Sequence, residues 1–128
     1  LARARSGRER LRRTVAEAYG IYERGGDVVG AIRRDRDQVT LLQEAHDQIE
    51  ETLAAIVRIG LGERLTGAEV RVVRALLDLD AWRALRDQGV TGADAVQTTT
   101  GMLDAWLARR RRTGAAAPSR AGTRPAPA

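Results

Sequence analysis

The chain has 128 residues, the size of a single domain. It has no cysteine and one histidine, His46, which excludes a disulfide framework, a thiolate metal site and an all-histidine zinc site within one chain. All 22 basic residues are arginine, which excludes catalytic-lysine chemistry. We expect a cytoplasmic, soluble protein, because no apolar run approaches the roughly 20 residues of a membrane-spanning helix and the first segment is too charged for a secretory signal.

The formal charge of +5 is unevenly distributed along the chain. Residues 1–13 carry six arginines and one glutamate, a net charge of +5, and residues 109–128 carry six arginines and no acid, a net charge of +6. Residues 14–108 carry ten arginines and sixteen acids, a net charge of −6. The basicity that ordinarily indicates a nucleic-acid surface therefore lies at the two ends of an acidic body.

Helical periodicity runs through most of the chain, and no stretch alternates between apolar and polar residues as a half-buried strand requires. Serine, threonine or aspartate caps open most of the helices, and glycines end several of them. In chain order, the predicted helices run from Ser6 with its capping-box partner Glu9 to Gly25-Gly26, from Val28 to about Arg34, from near Asp37 to Gly60, from Thr66 with its partner Glu69 to Leu77, from Asp78 or Asp80 to Gly89, and from Thr91 to Arg112.

The fourth and sixth predicted helices are unusually apolar. On a helical wheel, the apolar side chains of the sixth helix cover about 160°, more than the ~100° that packing on one core requires, and the fourth helix is similarly broad. We expect a second subunit to cover the extra surface in a two-fold dimer; the alternative is that both helices are central within a monomer. The predicted seam consists of Val70, Val73, Leu77, Val96, Thr100, Leu103 and Leu107.

His46 lies close to the centre of the apolar stripe of the third predicted helix. A buried imidazole is either a core histidine with a hydrogen-bond partner or a polar group that contacts a ligand. The aromatic residues and the one methionine similarly either fill the core or line a cavity, and Trp106 could also lie at the dimer seam. The candidate ligand-binding residues are Tyr19, Tyr22, His46, Ile49, Trp82, Met102 and Trp106.

The remaining motifs do not indicate catalysis. Arg109 to Arg112 end the sixth helix, where the helix dipole favours cations; phosphate contact is the alternative, but no aromatic residue follows them to stack on bases. Gly62 and Gly67 have P-loop spacing without the following lysine. The only serines lie in the end segments, which disfavours a Ser-His-Asp triad. We therefore predict a protein that is not an enzyme and needs no cofactor or metal.

The segment from Leu65 to Thr91, with its LTGAE, RALLD, AWRALR and GVT runs, resembles the C-terminal part of the tetracycline-repressor (TetR) family of bacterial regulators. The stretch from Arg8 to Tyr22 and the helix from Asp37 to Leu61 also match that domain in helix order and length. The resemblance covers about residues 7–110. It implies an all-α, six-helix regulatory domain with a ligand cavity, whose last two long helices form a four-helix bundle in a homodimer.

The resemblance also implies a domain organisation. Residues 1–6 are then a linker remnant and residues 7–112 the helical ligand-binding and dimerisation domain, with the N-terminal helix-turn-helix DNA-binding domain outside this chain. Residues 113–128 contain all three prolines and no large apolar residue, and this composition predicts a disordered tail. The expected function is effector sensing by a TetR-like transcriptional regulator, in which a small, largely apolar ligand modulates DNA binding by the parent protein. The expected partners are a second copy of the chain and an unknown effector, without a membrane. The alternative function is an all-α dimeric scaffold or adaptor with a solid core.

Overall fold

A computed structural model of the chain describes the backbone of residues 2–122 and the side chains of residues 6–62 and 64–114. The described residues form helices and short connections without a strand, which confirms the all-α prediction. The elements are α1 (Ala2–Asp35), α2 (Thr40–Leu61), a short 3-10 helix (Gly62–Arg64), α3 (Gly67–Leu76), α4 (Leu79–Asp87) and α5 (Gly92–Gly122). None of these helices is long and apolar enough to cross a membrane.

The first two predicted helices form one helix, α1, with a kink at Gly25 (φ −153°, ψ 30°). The structure thus has five α-helices among its described residues, where the sequence predicted six. The Gly25-Gly26 pair bends the helix but does not end it, and α1 packs against α4 on both sides of the pair, through Tyr22 before it and Gly30 after it. A Cβ atom at Gly26 would lie 3.2 Å from the Trp82 ring, so the indole of α4 rests directly on this part of α1.

Two of the three predicted threonine and serine caps are present. The Thr66 hydroxyl accepts from the backbone N–H of Glu69 at 3.2 Å, and the Glu69 carboxylate accepts from the N–H of Thr66 at 2.9 Å, forming a capping box. Thr91 accepts from the N–H of Asp94 at the start of α5. Ser6 is not a cap, because α1 already begins at Ala2 and Glu9 pairs with Arg12 instead.

The two end segments are helical over part of their predicted lengths. The helix α1 includes most of the predicted linker, residues 1–6, from Ala2 onward. The helix α5 continues to Gly122, into the segment predicted as a disordered tail; the alanines at 115–117 are the strongest helix formers and favour this continuation. Residues 123–128, to which that prediction also applies, lie outside the described residues.

The helix α1 is central, with α2 and α5 both antiparallel to it. Arg8, near the start of α1, contacts Asp104 near the middle of α5, whereas Glu23, farther along α1, lies beside Gly92 at the start of α5. On the other side, Thr14 of α1 touches Gly60 near the end of α2. The buried core comes from every α-helix and includes Leu11, Val15, Tyr19, Tyr22, Leu53, Val57, Val73, Leu77, Leu79 and Leu103. Full burial of each such side chain contributes about 1.5–3 kcal/mol.

Candidate functional site

The residues predicted for the dimer seam lie mostly inside the single chain. Five of them are buried and the other two, Val70 and Val96, are half-buried. The buried ones are Val73, Leu77, Thr100, Leu103 and Leu107. The apolar surface of α5 is broad because α5 packs against α1, α3 and α4 of its own chain. These five side chains are therefore covered within the chain, and the seam and the homodimer both stay predictions.

Two of the predicted ligand contacts instead close the end of a helix. The Tyr19 hydroxyl donates to the carbonyl of Leu76 at 2.7 Å and lies 3.0 Å from the Thr99 hydroxyl, and the Tyr22 hydroxyl donates to the carbonyl of Leu77 at 2.7 Å. These carbonyls end α3, where no further helical N–H is available to bind them. Burial raises the pKa of both tyrosines, so their hydroxyls remain protonated donors.

The other candidates do not converge with the tyrosines on one enclosed site. The Trp82 ring lies 5.8 Å from the Tyr22 ring, and its indole N–H donates to Glu23 at 3.1 Å. Met102 is 57% exposed on the outer face of α5. The remaining candidates, His46, Ile49 and Trp106, are half-buried. The apolar stripe of α2 on which His46 was placed is fully buried only from Leu53 onward.

A cleft of about 420 Å³ lies between α4 and the part of α1 beyond the kink. We name it the α1–α4 cleft; it is lined by Asp27, Gly30, Ala31, Arg33, Arg34, Leu79 and Arg83. Leu79 is completely buried and gives the cleft an apolar wall. Among the candidates predicted from sequence, none lines this cleft.

Arg83 is one of four charged residues that line the α1–α4 cleft, the others being Asp27, Arg33 and Arg34. The Arg83 guanidinium lies on the backbone of α1, where a Cβ atom at Gly30 would collide with it, and it donates to the carbonyl of Gly26 at 3.4 Å. No carboxylate among the described side chains lies within ion-pair distance of Arg83. A guanidinium has five N–H donors, so Arg83 can bind the carboxylate or phosphate of a ligand.

The sequence contains a signal for this cleft that helical periodicity does not reveal. Gly26 and Gly30 are four residues apart and so lie on one face of α1. Two consecutive side chains of α4 pack there, Trp82 on Gly26 and Arg83 on Gly30. Glycines at this spacing indicate a groove in which a neighbouring helix places large side chains.

An ionic network borders the cleft and joins four parts of the chain. Arg33 of α1 binds Asp78 through two hydrogen bonds of 2.6 and 3.1 Å, and it lies 3.9 Å from Glu50 of α2. Glu50 in turn pairs with Arg74 of α3 at 2.7 Å. Burial alone would raise the pKa of Asp78, but the hydrogen bonds and charge of Arg33, together with the first backbone N–H groups of α4, lower it on balance. The network holds α1 beyond the kink against α2, α3 and the start of α4.

We expect Arg33→Gln to destabilise the chain by about 1–2 kcal/mol near pH 7, because the substitution leaves Asp78 partly buried without its cation. Because the pKa of Asp78 is lowered in the folded state, this stabilisation is present above the unfolded-state pKa of an aspartate and is lost as the pH falls through the folded-state value. Urea denaturation of both proteins near pH 7 and near pH 3 measures the difference.

The matched control is Arg34→Gln, which removes an exposed arginine from the next position of α1. We expect it to change the free energy of unfolding by less than about 0.5 kcal/mol. Equal effects of the two substitutions, or an Arg33→Gln effect that does not shrink in acid, would contradict the stabilising role of the Arg33–Asp78 pair.

Comparison with known protein families, with curated proteins and with solved structures finds no match to this chain.

Proposed function

We propose that the chain is the effector-sensing domain of a TetR-like transcriptional regulator and that the effector binds in the α1–α4 cleft. The resemblance over residues 7–110 supports the class of protein. The observation that carries the binding site is the position of Arg83, a guanidinium without a carboxylate partner among the described side chains, in a cleft next to the kink of α1. The polar lining changes the expected effector from a largely apolar molecule to a small molecule that bears an acid group.

The kink gives this site a means of regulation. A ligand in the α1–α4 cleft contacts α4 and the part of α1 beyond Gly25, so it binds with different affinity when the angle at the kink changes. Ligand binding shifts the equilibrium only by this difference in affinity. In the proposed parent protein, this shift would favour one arrangement of the dimer over another and so change its binding to DNA.

The binding site is tested by thermal denaturation of the chain in the presence of small carboxylates and organic phosphates. We expect some of these compounds to raise the melting temperature of the wild-type chain, since a ligand at about 100 times its Kd adds roughly 2.7 kcal/mol to the stability of the folded state. The same compounds should lose this effect in Arg83→Met, because that substitution removes the guanidinium from the cleft.

The control for this experiment is Arg71→Met, which removes an exposed arginine of α3 outside the cleft. Stabilisation should survive in this variant. Stabilisation that Arg83→Met and Arg71→Met reduce equally, or a wild-type chain that none of these compounds stabilises, would contradict an acid-binding effector site in the α1–α4 cleft.

A scaffold or adaptor without an effector is the second candidate function. It is favoured by the hydrogen bonds of Tyr19 and Tyr22, which use the hydroxyls inside the core to close the end of α3. In that case, the chain would act through its outer surfaces alone, and Arg83→Met would not affect any small-molecule response.

We further propose that the chain forms a homodimer through the outer face of α5. Met102 is the large apolar side chain exposed on this face, and its neighbours on the same face, Thr98 and Ala105, are small and exposed. Small residues beside a large apolar one allow two helices to approach closely around a two-fold axis. Light scattering at micromolar concentration tests the proposal, and a monomer would contradict it.

A further inference from the structure

The fold brings the two basic ends of the sequence together. The helices α1 and α5 are antiparallel, and the Arg8 guanidinium binds Asp104 at 3.0 Å. Arg109 to Arg112 follow Asp104 within about two turns of α5, so they lie at the same end of the molecule as the arginines of early α1. Two charge clusters that are about a hundred residues apart in sequence thus form one surface.

The 3-10 helix adds to the same surface. The Arg10 guanidinium reaches Gly62, where a Cβ atom would lie 3.8 Å from it, and Arg64 is exposed two residues later. We name this surface the basic end. It consists of Arg8, Arg10, Arg12, Arg13, Arg64, Arg109, Arg110, Arg111 and Arg112.

The described carboxylates at the basic end are already engaged. Glu9 binds Arg12, with a hydrogen bond that lowers its pKa to about 2, and it also pairs with Arg13. Glu69 binds Arg110 at 3.0 Å. Asp104 accepts from Arg8.

The other arginines of the basic end have no carboxylate within ion-pair distance among the described side chains; they are Arg10, Arg64, Arg109, Arg111 and Arg112. Their guanidinium donors can therefore bind an external anion. The basic end is positive after its internal ion pairs are counted, and it projects from a body whose net charge is negative.

An aromatic surface lies within the same cluster. Trp106 stacks against Arg110, whose guanidinium carbon is 5.1 Å from the ring centroid. The ring lines a cleft of about 450 Å³ together with Arg109, Arg110, Thr113 and Gly114. No aromatic residue follows the arginines in the sequence, but this stacking surface comes from one turn upstream of them.

We propose that the basic end binds the phosphate backbone of nucleic acid without sequence specificity. Arginine presents a planar fork of donors that matches phosphate, and an aromatic ring beside it can stack on an unpaired base. A membrane surface is a poorer fit, because the described side chains of α5 beyond Leu107 include no large apolar residue to enter a bilayer. This inference does not depend on the effector site, since it concerns the opposite end of α1 and different residues.

The test is fluorescence anisotropy of the full chain with a labelled DNA duplex of about 20 base pairs and with a single strand of the same length, between about 50 and 300 mM KCl. We expect the logarithm of the binding constant to fall linearly with the logarithm of the salt concentration. The variant carries Arg109→Gln, Arg111→Gln and Arg112→Gln, which leaves the Arg110 ion pair intact. It should bind at least tenfold more weakly at low salt. The slope of its salt dependence should be smaller, by the amount expected for the loss of about two to three phosphate contacts.

The matched control carries Arg24→Gln, Arg36→Gln and Arg86→Gln, which make the same change in net charge on α1, the loop after it and α4, away from the basic end and outside the α1–α4 cleft. We expect this control to retain at least half of the wild-type affinity. Circular dichroism establishes that both variants are folded.

Three outcomes would overturn the proposal. The first is no binding of the wild-type chain to either DNA at the lowest salt concentration. The second is equal weakening by the two triple variants, which would show that only the net charge matters. The third is tighter binding to vesicles that contain phosphatidylserine than to DNA, which would assign the basic end to a membrane surface.

Discussion

Replacing Leu103 by arginine is expected to unfold the chain rather than to separate two subunits. Leu103 is 1% exposed, on the face of α5 that turns toward the core. The substitution removes a buried apolar side chain and places a guanidinium where the core offers it no partner. Together these effects should cost at least about 4 kcal/mol, which is a large part of the stability of a domain of this size. Circular dichroism during urea denaturation measures the loss.

The neighbouring residue supplies the matched control. Met102 is 57% exposed, so Met102→Arg should leave the free energy of unfolding within about 0.5 kcal/mol of wild type. If the outer face of α5 is the dimer seam, Met102→Arg should also convert a dimer to a folded monomer in light scattering. A Leu103→Arg chain that is folded and as stable as Met102→Arg would show that Leu103 does not turn toward the core.

Gly60→Ala is expected to destabilise the chain by about 2–3 kcal/mol, although alanine is the better helix former. A Cβ atom at Gly60 would collide with the hydroxyl of Thr14, which is buried and donates to the carbonyl of Arg10. The overlap forces α1 and α2 apart where Thr14 packs directly on Gly60. The free energy of unfolding from urea denaturation gives the cost.

A double-mutant cycle identifies the cause. Thr14→Ala removes the colliding hydroxyl, so the double variant should be more stable than the sum of the two single changes by about 1–2 kcal/mol. Gly7→Ala, at a glycine of α1 with open space around it, should be neutral or stabilising. Additive effects of Gly60→Ala and Thr14→Ala would refute a direct contact between these positions.

Local signals in the sequence predicted local structure well. The Thr66 capping box and the Thr91 cap depend on residues three positions apart, and both form as predicted. The all-α fold class follows from the helical periodicity of the apolar residues, which can be measured from the sequence without knowledge of the fold. The sequence predicts a helix end at the Gly25-Gly26 pair, where the structure has a kink. Whether a glycine pair bends or ends a helix depends on what packs beside it, which here is Trp82.

Contacts between distant segments were not predictable by the same means. A wheel measures how much of a helix is apolar, but it does not say whether the covering surface belongs to the same chain. Leu77 and Leu103 are covered within the chain, so their apolar character does not by itself require a second subunit. The basic end combines residues about a hundred positions apart, so only the fold reveals it. The α1–α4 cleft combines residues more than fifty positions apart, and the Gly26–Gly30 spacing is the signal that the sequence carries for it.

The hydroxyls of Tyr19 and Tyr22 tie α1 to the last carbonyls of α3, and both tyrosines precede the kink. We therefore expect the part of α1 before the kink and α3 to move as one rigid body, because separating them would leave two buried carbonyl groups without hydrogen-bond donors. Bending of α1 is therefore easier in the segment after Gly25, whose contacts include the Arg33 ion pairs that low pH or added salt weakens.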